Sequence, residues 1–288
     1  MRDRKIKLRK QLKDTLGRKY RAGHSTPKEN KQHNGTDLIH SHRTYKTYIA
    51  SVDHFADWCK DQKILTIDEA KARVPEYIAE RLADGKSAFT VSKDTAAIAK
   101  AMDCRMTDLK VNLPSRRRSD IKNNRQDPTK REHFSEKNHR QLVDFCKSTG
   151  LRRDELAHLR GTDIKTVNDK TYITLERKDS GSKGGKFRTV EIIGNKENVI
   201  SMMQTAGSGL VFPDGIPGGA NIHHYRGDYA KALYREYARP LESLSRHDLY
   251  CCRGAEKGMR YDRQALIITS KNLGHNREDV VVNNYFYH

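Results

Sequence analysis

Helical periodicity in both halves of the chain, broken once by two short strand-like runs, predicts a mainly α fold of the α+β kind. Residues 37–113 carry helix patterns alone. Residues 114–130, PSRRRSDIKNNRQDPTK, carry no apolar periodicity and contain two prolines and three consecutive arginines. Residues 131–288 run helix, strand, strand, helix. These observations predict a basic N-terminal arm (1–36), a helical domain, a basic linker and a larger C-terminal domain built round a small antiparallel sheet. No internal repeat is visible.

The charge narrows the class of partner. Lysine and arginine total 56 of 288 residues against 37 acidic ones, a formal net charge of +19. Such an excess favours a polyanion, and nucleic acid is the commonest soluble one. The five cysteines (59, 104, 146, 251 and 252) have no CxxC spacing. They suggest neither a disulfide framework nor a zinc knuckle. No apolar run approaches the roughly 18 residues of a membrane span, and MRDRKIKLRK lacks the apolar core of a signal peptide. A soluble protein of a reducing cytoplasm is expected.

Along the chain, Leu8, Leu12 and Leu16 fall four apart on a cationic helix with Gly17 as its stop. The pattern fits a DNA-contacting arm, a membrane-surface helix or a solvated tail. STPKENKQHNGTD reads as a link. Tyr45, Tyr48, Ile49, Val52, Phe55, Ala56 and Cys59 share one helical face, a second helix spans 75–84, and a third begins near Ser87. Arg116, Arg117 and Arg118 give the linker a phosphate-facing character.

In the C-terminal half, Ser135 is a candidate cap for a helix carrying Leu142, Val143 and Cys146. A turn at Thr149–Gly150 precedes a helix within 148–164. Strands are expected at TYITLER (171–177) and FRTVEII (187–193), with Gly184–Gly185 suited to a two-residue hairpin turn flanked by Lys183 and Lys186. Next, IHHYRGDYAKALYREYARP places Tyr229, Ala230, Leu233, Tyr234 and Tyr237 on an apolar face. His223 and Arg226, three apart, project together, and His224 is out of phase. A His–Arg pair at a helix start suits an oxyanion, because Arg offers a planar fork and His a further donor. Finally, in LGHNREDVVVNNYFYH, Asn276 is a candidate cap for a helix bearing Glu278 and Asp279 in its first turn. Each stretch alone also fits ordinary surface or capping chemistry.

Together the four stretches resemble the tyrosine recombinase (phage integrase) family, in order and spacing. TGLRRDEL (Thr149 to Leu156) resembles its first arginine motif, and SKGGKFRTVEI its basic hairpin with Glu191 in place of Pro. His223–Arg226 resembles its HxxR, and Leu273 to His275 its LGH, followed by a tyrosine. The helical stretch 37–113 is similar to the family's core-binding domain and 131–288 to its catalytic domain, so the resemblance covers most of the chain. LGHNR is most similar to integrases of mobile genetic elements. Gly227 stands where the family usually has His. A second candidate, RHDLYCC (246–252), has Tyr250 where Arg is required and reads as an inserted hairpin within 246–261.

The resemblance implies a mechanism. A phenol, with an unperturbed pKa of roughly 10, is a poor nucleophile unless fixed cations stabilise the charge developing on phosphate. A tyrosine would attack the scissile phosphate to give a 3′-phosphotyrosine. Arg152 and Arg226 would clamp the non-bridging oxygens, His223 and His275 would donate to the same group, and Lys183 would protonate the leaving oxygen. Glu155 would hold a structural contact beside Arg152. Arg116, Arg117, Arg118, Lys186 and Arg188 would contact DNA. No metal and no ATP are implied. Tyr285 lies ten residues after His275 and Tyr287 twelve. The family's gap is about nine, which favours Tyr285 as nucleophile.

The implied partners are double-stranded DNA attachment sites, further copies in a tetramer on synapsed DNA from a free monomer, and an accessory excision factor. The implied location is the bacterial cytoplasm, at the nucleoid. The short run after Tyr285 implies assembly through other surfaces or a shortened version of a longer chain. A type IB topoisomerase-like enzyme shares the residue set, although the separate bundle and LGHNR favour a recombinase. A non-catalytic DNA-binding regulator on the same scaffold, and an RNA-binding basic protein, are the alternatives of other classes.

Overall fold

The structure is a computed structural model that describes residues 7–22, 38–116, 134–168, 170–182, 187–253 and 256–286. The chain forms two compact units, Met1–Lys122 and Asn123–His288.

In the first unit, α1 (Leu8–Lys19), α2 (His42–Asp61), α3 (Ile67–Ala72), α4 (Val74–Ala83) and α5 (Ala88–Ala101) make an all-helical body. Side-chain caps start three of these helices. Ser41 accepts from the Thr44 amide, Ser87 from the Thr90 amide, and Thr66 forms a reciprocal box with Glu69. The core gathers Val52, Phe55, Cys59, Tyr77, Val91 and Ile98. Of the three readings of the N-terminal helix, the solvated tail and the membrane-surface helix do not fit its packing. Leu8, Leu12 and Leu16 are buried in this same core, and α1 packs on α2 and α5. Burying three leucines on one stripe removes far more apolar surface from water than a solvated tail would.

In the second unit, α6 (Arg140–Thr149) and α7 (Arg153–His158) precede β1 (Ile164–Val167), β2 (Lys170–Leu175) and β3 (Arg188–Glu191). The strands form an antiparallel sheet in the order β1-β2-β3, with Ile173 opposite both Ile164 and Val190. The helix expected within 148–164 stops at His158. Beyond it, Asp163 turns back to accept from the Arg160 amide at 2.9 Å, and a side chain at Gly161 would stand 2.1 Å from the Met203 carbonyl oxygen. The last described β2–β3 pair is Leu175 with Arg188. The residues of the expected two-residue hairpin turn, Gly184 and Gly185 with Lys183 and Lys186 beside them, are not among those described.

Then follow α8 (Lys196–Ala206), α9 (Ile222–Tyr237), β4 (Leu249–Cys251), β5 (Arg260–Asp262), α10 (Arg263–Asn272) and α11 (Asp279–Tyr285). β4 and β5 pair antiparallel, and Tyr250 lies on that hairpin opposite Tyr261. α11 starts at Asp279 with Glu278 rather than Asn276 at its cap position. One core, including Phe145, Leu156, Ile173, Tyr229, Leu266 and Tyr285, joins sheet and helices. Among the described residues, no helix is long and apolar enough to cross a membrane.

Candidate active site

The site is built from four helix ends that converge on one buried carbonyl and one buried phenol. α6 ends at Gly150, whose φ of 58° lets its amide reach the Cys146 carbonyl and turn the chain toward α7. Only glycine fits this turn, since a Cβ here would stand 2.3 Å from Cδ1 of Tyr229.

Arg152 caps α7. Its amide donates to Glu155 Oε2 at 2.7 Å, its Nη1 to Glu155 Oε1 at 2.8 Å, and its Nη2 to the Leu273 carbonyl at 2.9 Å. From near the start of α9, Arg226 donates Nη1 to the Gly150 carbonyl, Nη2 to the same Leu273 carbonyl, and Nε to the Tyr285 hydroxyl at 3.0 Å. The Leu273 carbonyl therefore ties both guanidiniums together. α10 ends at Asn272, and Gly274 turns the chain with φ 71°. The His275 amide then reaches back to the Ser270 carbonyl at 2.8 Å. That turn aims His275 Nε2 at the Tyr285 hydroxyl, 3.3 Å away. The His223 ring stacks on Tyr285 with centroids 5.5 Å apart and planes 14° apart.

Arg152, His223, Arg226, His275 and Tyr285 thus share one site. His224 points elsewhere, toward Asp228 at 3.7 Å. Arg116, in the first unit, lies exposed over the Phe89 ring at 5.9 Å. Lys183, Lys186, Arg117, Arg118 and Tyr287 lie outside the described residues. The expectation that Arg188 contacts DNA is corrected. Its side chain turns inward from β3 and donates to Glu155 Oε1 at 2.6 Å and Oε2 at 2.9 Å. A fully buried carboxylate attracts the nearest cation that can satisfy it, because an unpaired charge there is costly.

Electrostatically the site is an excess of fixed positive charge around a single carboxylate. Burial alone would raise the Glu155 carboxyl. The hydrogen bonds and charge of Arg188, and the charges of Arg226 and Arg152, outweigh it and hold the group down to about 2. Burial pulls the Arg226 guanidinium down to about 10, so it is still charged at neutral pH. Charged donors fixed in a water-poor site stabilise developing anionic oxygen with little reorganisation. Among the described residues, no cluster of three or more His, Cys, Asp or Glu could hold a metal ion.

The chain is similar in structure to solved integrases and site-specific recombinases. The Tn1549 transposon integrase in complex with circular intermediate DNA has 12% sequence identity and a TM-score of 0.43, over 96% of this chain and 95% of that one. XerH site-specific recombinase bound to its palindromic difH substrate has 12% identity and a TM-score of 0.39, over 96% and 91%. XerA recombinase has 14% identity and a TM-score of 0.32, over 97% and 94%. No protein-family model and no curated protein matches the sequence.

Three contributors escaped the sequence reading. The Asn272 side chain accepts from the Glu191 amide at 2.7 Å, pinning the end of α10 to β3. Arg153 donates to the carbonyls of Ile216, Pro217 and Ala220, holding the loop that leads into His223. Glu191 accepts from Lys170 at 2.9 Å and from Tyr237 at 2.6 Å, linking β2, β3 and α9. Only Glu191 carried a signal, as a departure from the family's proline. Asn272 and Arg153 look like any surface polar residues in the linear sequence.

Proposed function

We propose that the protein is a site-specific DNA recombinase that cuts and rejoins duplex DNA through a 3′-phosphotyrosine at Tyr285, serving integration or excision of a mobile element. The observation that carries this reading is the Tyr285 hydroxyl, which accepts from Arg226 Nε at 3.0 Å and faces His275 Nε2 at 3.3 Å. An Arg Nε–H can only donate, so the phenol oxygen accepts from Arg226, and His275 Nε2 lies within hydrogen-bond reach of the same oxygen.

In the reaction, Tyr285 Oη forms a bond to phosphorus, the P–O5′ bond breaks, and the phenol proton passes to His275, a base role in place of the phosphate donation that the resemblance implies for it. Lys183 supplies the proton to the departing 5′ oxygen, as the resemblance implies. Arg152 and Arg226 hold the non-bridging oxygens, and His223, stacked beside the phenol, donates to the same phosphate. A 5′-hydroxyl from a second duplex then reverses the sequence, so no external energy source enters the balance. The net charge of +19 supports duplex DNA as the partner, with affinity falling steeply as salt rises. Strand exchange requires synapsis of several copies, and a tetramer assembled from monomers on DNA fits that need. An accessory excision factor and a place at the bacterial nucleoid belong to the same proposal.

The test uses a pool of nicked duplexes with a randomised central segment, incubated with the protein in chelator and resolved in denaturant. A covalent adduct whose phosphopeptide maps to Tyr285 is expected. Strand exchange between two selected duplexes, rather than relaxation of supercoils alone, then separates a recombinase from a topoisomerase. No adduct from the pool or from fragmented bacterial genomic DNA would overturn the enzymatic reading.

A further inference from the structure

Arg188 uses all three guanidinium nitrogens inside the protein. Nη1 and Nη2 grip the two Glu155 oxygens at 2.6 and 2.9 Å, and Nε donates to the Asn272 carbonyl at 3.0 Å. Its side chain is 8% exposed. The same two Glu155 oxygens also receive the Arg152 amide and Nη1, so each oxygen is shared between Arg188 and Arg152. One residue beyond Asn272, the Leu273 carbonyl holds both Arg152 and Arg226. Gly274 lies against Arg188 as well, since a Cβ there would meet its Cδ at 3.1 Å and its Nε at 3.2 Å. Arg188 therefore grips the carboxylate that orients Arg152, and braces the chain on either side of the carbonyl that orients both Arg152 and Arg226.

We propose that Arg188 is a positioning residue that offsets the charge of Glu155, so that Arg152 and Arg226, held in place by their protein partners, keep a net positive charge for phosphate. The proposal rests on the recombinase reading for its activity arm. Its physical content is a charge count. Glu155 brings one negative charge to Arg152, Arg188 and Arg226 together, so the cluster keeps an excess of positive charge for the incoming phosphate. If Arg188 is removed, the carboxylate is left with Arg152 and Arg226 as its nearest cations. It then competes with the phosphate for them, and the buried pair lacks the donors that satisfied it.

The test compares wild type, Arg188→Gln, and Arg188→Gln combined with Glu155→Gln, on a nicked duplex selected by the wild-type protein from a randomised pool. The double variant removes the buried carboxylate together with the arginine that grips it, so the cost of stranding the Glu155 charge is relieved and Arg152 and Arg226 keep their net positive charge. The amide side chain that replaces Glu155 can still accept from the Arg152 amide, as a capping box requires. At saturating duplex, Arg188→Gln is expected to slow adduct formation about 100-fold, the range seen on losing one oriented charged donor. The slope of log affinity against log salt is expected to stay at its wild-type value. The double variant is expected to recover part of the rate, which a purely structural arginine would not produce.

Two results of the duplex assays would overturn the proposal. One is a salt slope lowered by about one with the saturated rate unchanged, the mark of a direct phosphate contact. The other is a double variant no faster than the single. A DNA-free arm separates failure of this proposal from failure of the recombinase reading. The guanidinium Nε–H resonances of Arg152 and Arg226 are expected to move in Arg188→Gln and to return toward wild type in the double variant. Unchanged resonances would overturn the positioning role, and absence of any wild-type adduct would overturn only the recombinase reading.

Discussion

The Nε–H of Arg226 donates to the hydroxyl of Tyr285 at 3.0 Å, across 59 residues of sequence, and both side chains are buried. An arginine so placed uses one hydrogen bond to hold the phenol and two to fix its own plane. Tyr285→Phe removes the hydroxyl and keeps the ring packed against His223. Its expected phenotype is loss of the covalent adduct with duplex affinity within about 3-fold of wild type, at a stability cost of about 1 kcal/mol for the lost hydrogen bond. Tyr287→Phe should retain the adduct, and peptide mapping of the two variants decides the nucleophile.

Arg226→Lys keeps the charge and discards the fork. A lysine cannot serve the Gly150 carbonyl, the Leu273 carbonyl and the phenol at once. Single-turnover cleavage of a selected duplex should slow by about 10²–10³-fold, with much less effect on affinity in a filter-binding titration.

Acid should weaken the site through Glu155. Its carboxyl is held down to about 2 from an ordinary 4.5, so the folded state binds fewer protons than the unfolded one in that interval. The stabilisation is complete above about pH 4.5 and is lost as pH falls toward 2, a swing on the order of 3 kcal/mol by linkage. Urea unfolding across that window should show stability rising with pH, with a reduced slope in Glu155→Gln. The slope is not abolished, because Asp262 is also held down to about 2, chiefly by its hydrogen bond from Arg239.

Glu191→Pro installs the residue that the related hairpin motif carries, yet it should destabilise this chain. The Glu191 amide donates to Asn272 Oδ1 at 2.7 Å, and its carboxylate joins Lys170 to Tyr237. Proline has no amide proton and no carboxylate. Losing these partners should cost about 1–3 kcal/mol, read as a lower denaturant midpoint with the slope unchanged.

Gly150→Ala tests the turn that aims Arg152. The backbone is left-handed here, and the new methyl would overlap the Tyr229 ring. A drop in stability of about 2–4 kcal/mol, from conformational cost plus overpacking, should appear in thermal unfolding, together with slower cleavage.

The helical content, two of the three strands of the small antiparallel sheet and the β4–β5 hairpin were legible in the sequence because they rest on local periodicity and turn residues, whereas β1 was not. So was the grouping of His223 with Arg226, which depends only on one helical turn. Less legible were the ends of elements. The chain beyond His158 runs close to the Met203 carbonyl, where only glycine fits at 161, a contact between residues 42 apart. The N-terminal leucines were visible as a stripe, but what they cover was not. α2 and α5 supply that surface only after the chain has folded back.

By itself, then, the sequence determined a basic, mainly helical chain with its arginine, histidine and tyrosine motifs in recombinase order, because residue types and short spacings survive in one dimension. The tertiary structure alone decided which basic residues face inward. Arg188 sits in a run of exposed-looking cations, and the β2–β3 register and a buried carboxylate 33 residues upstream turn it away from solvent. A side chain's direction depends on the partners that folding brings within reach. The lone negative charge of Glu155 gives Arg188 its partner.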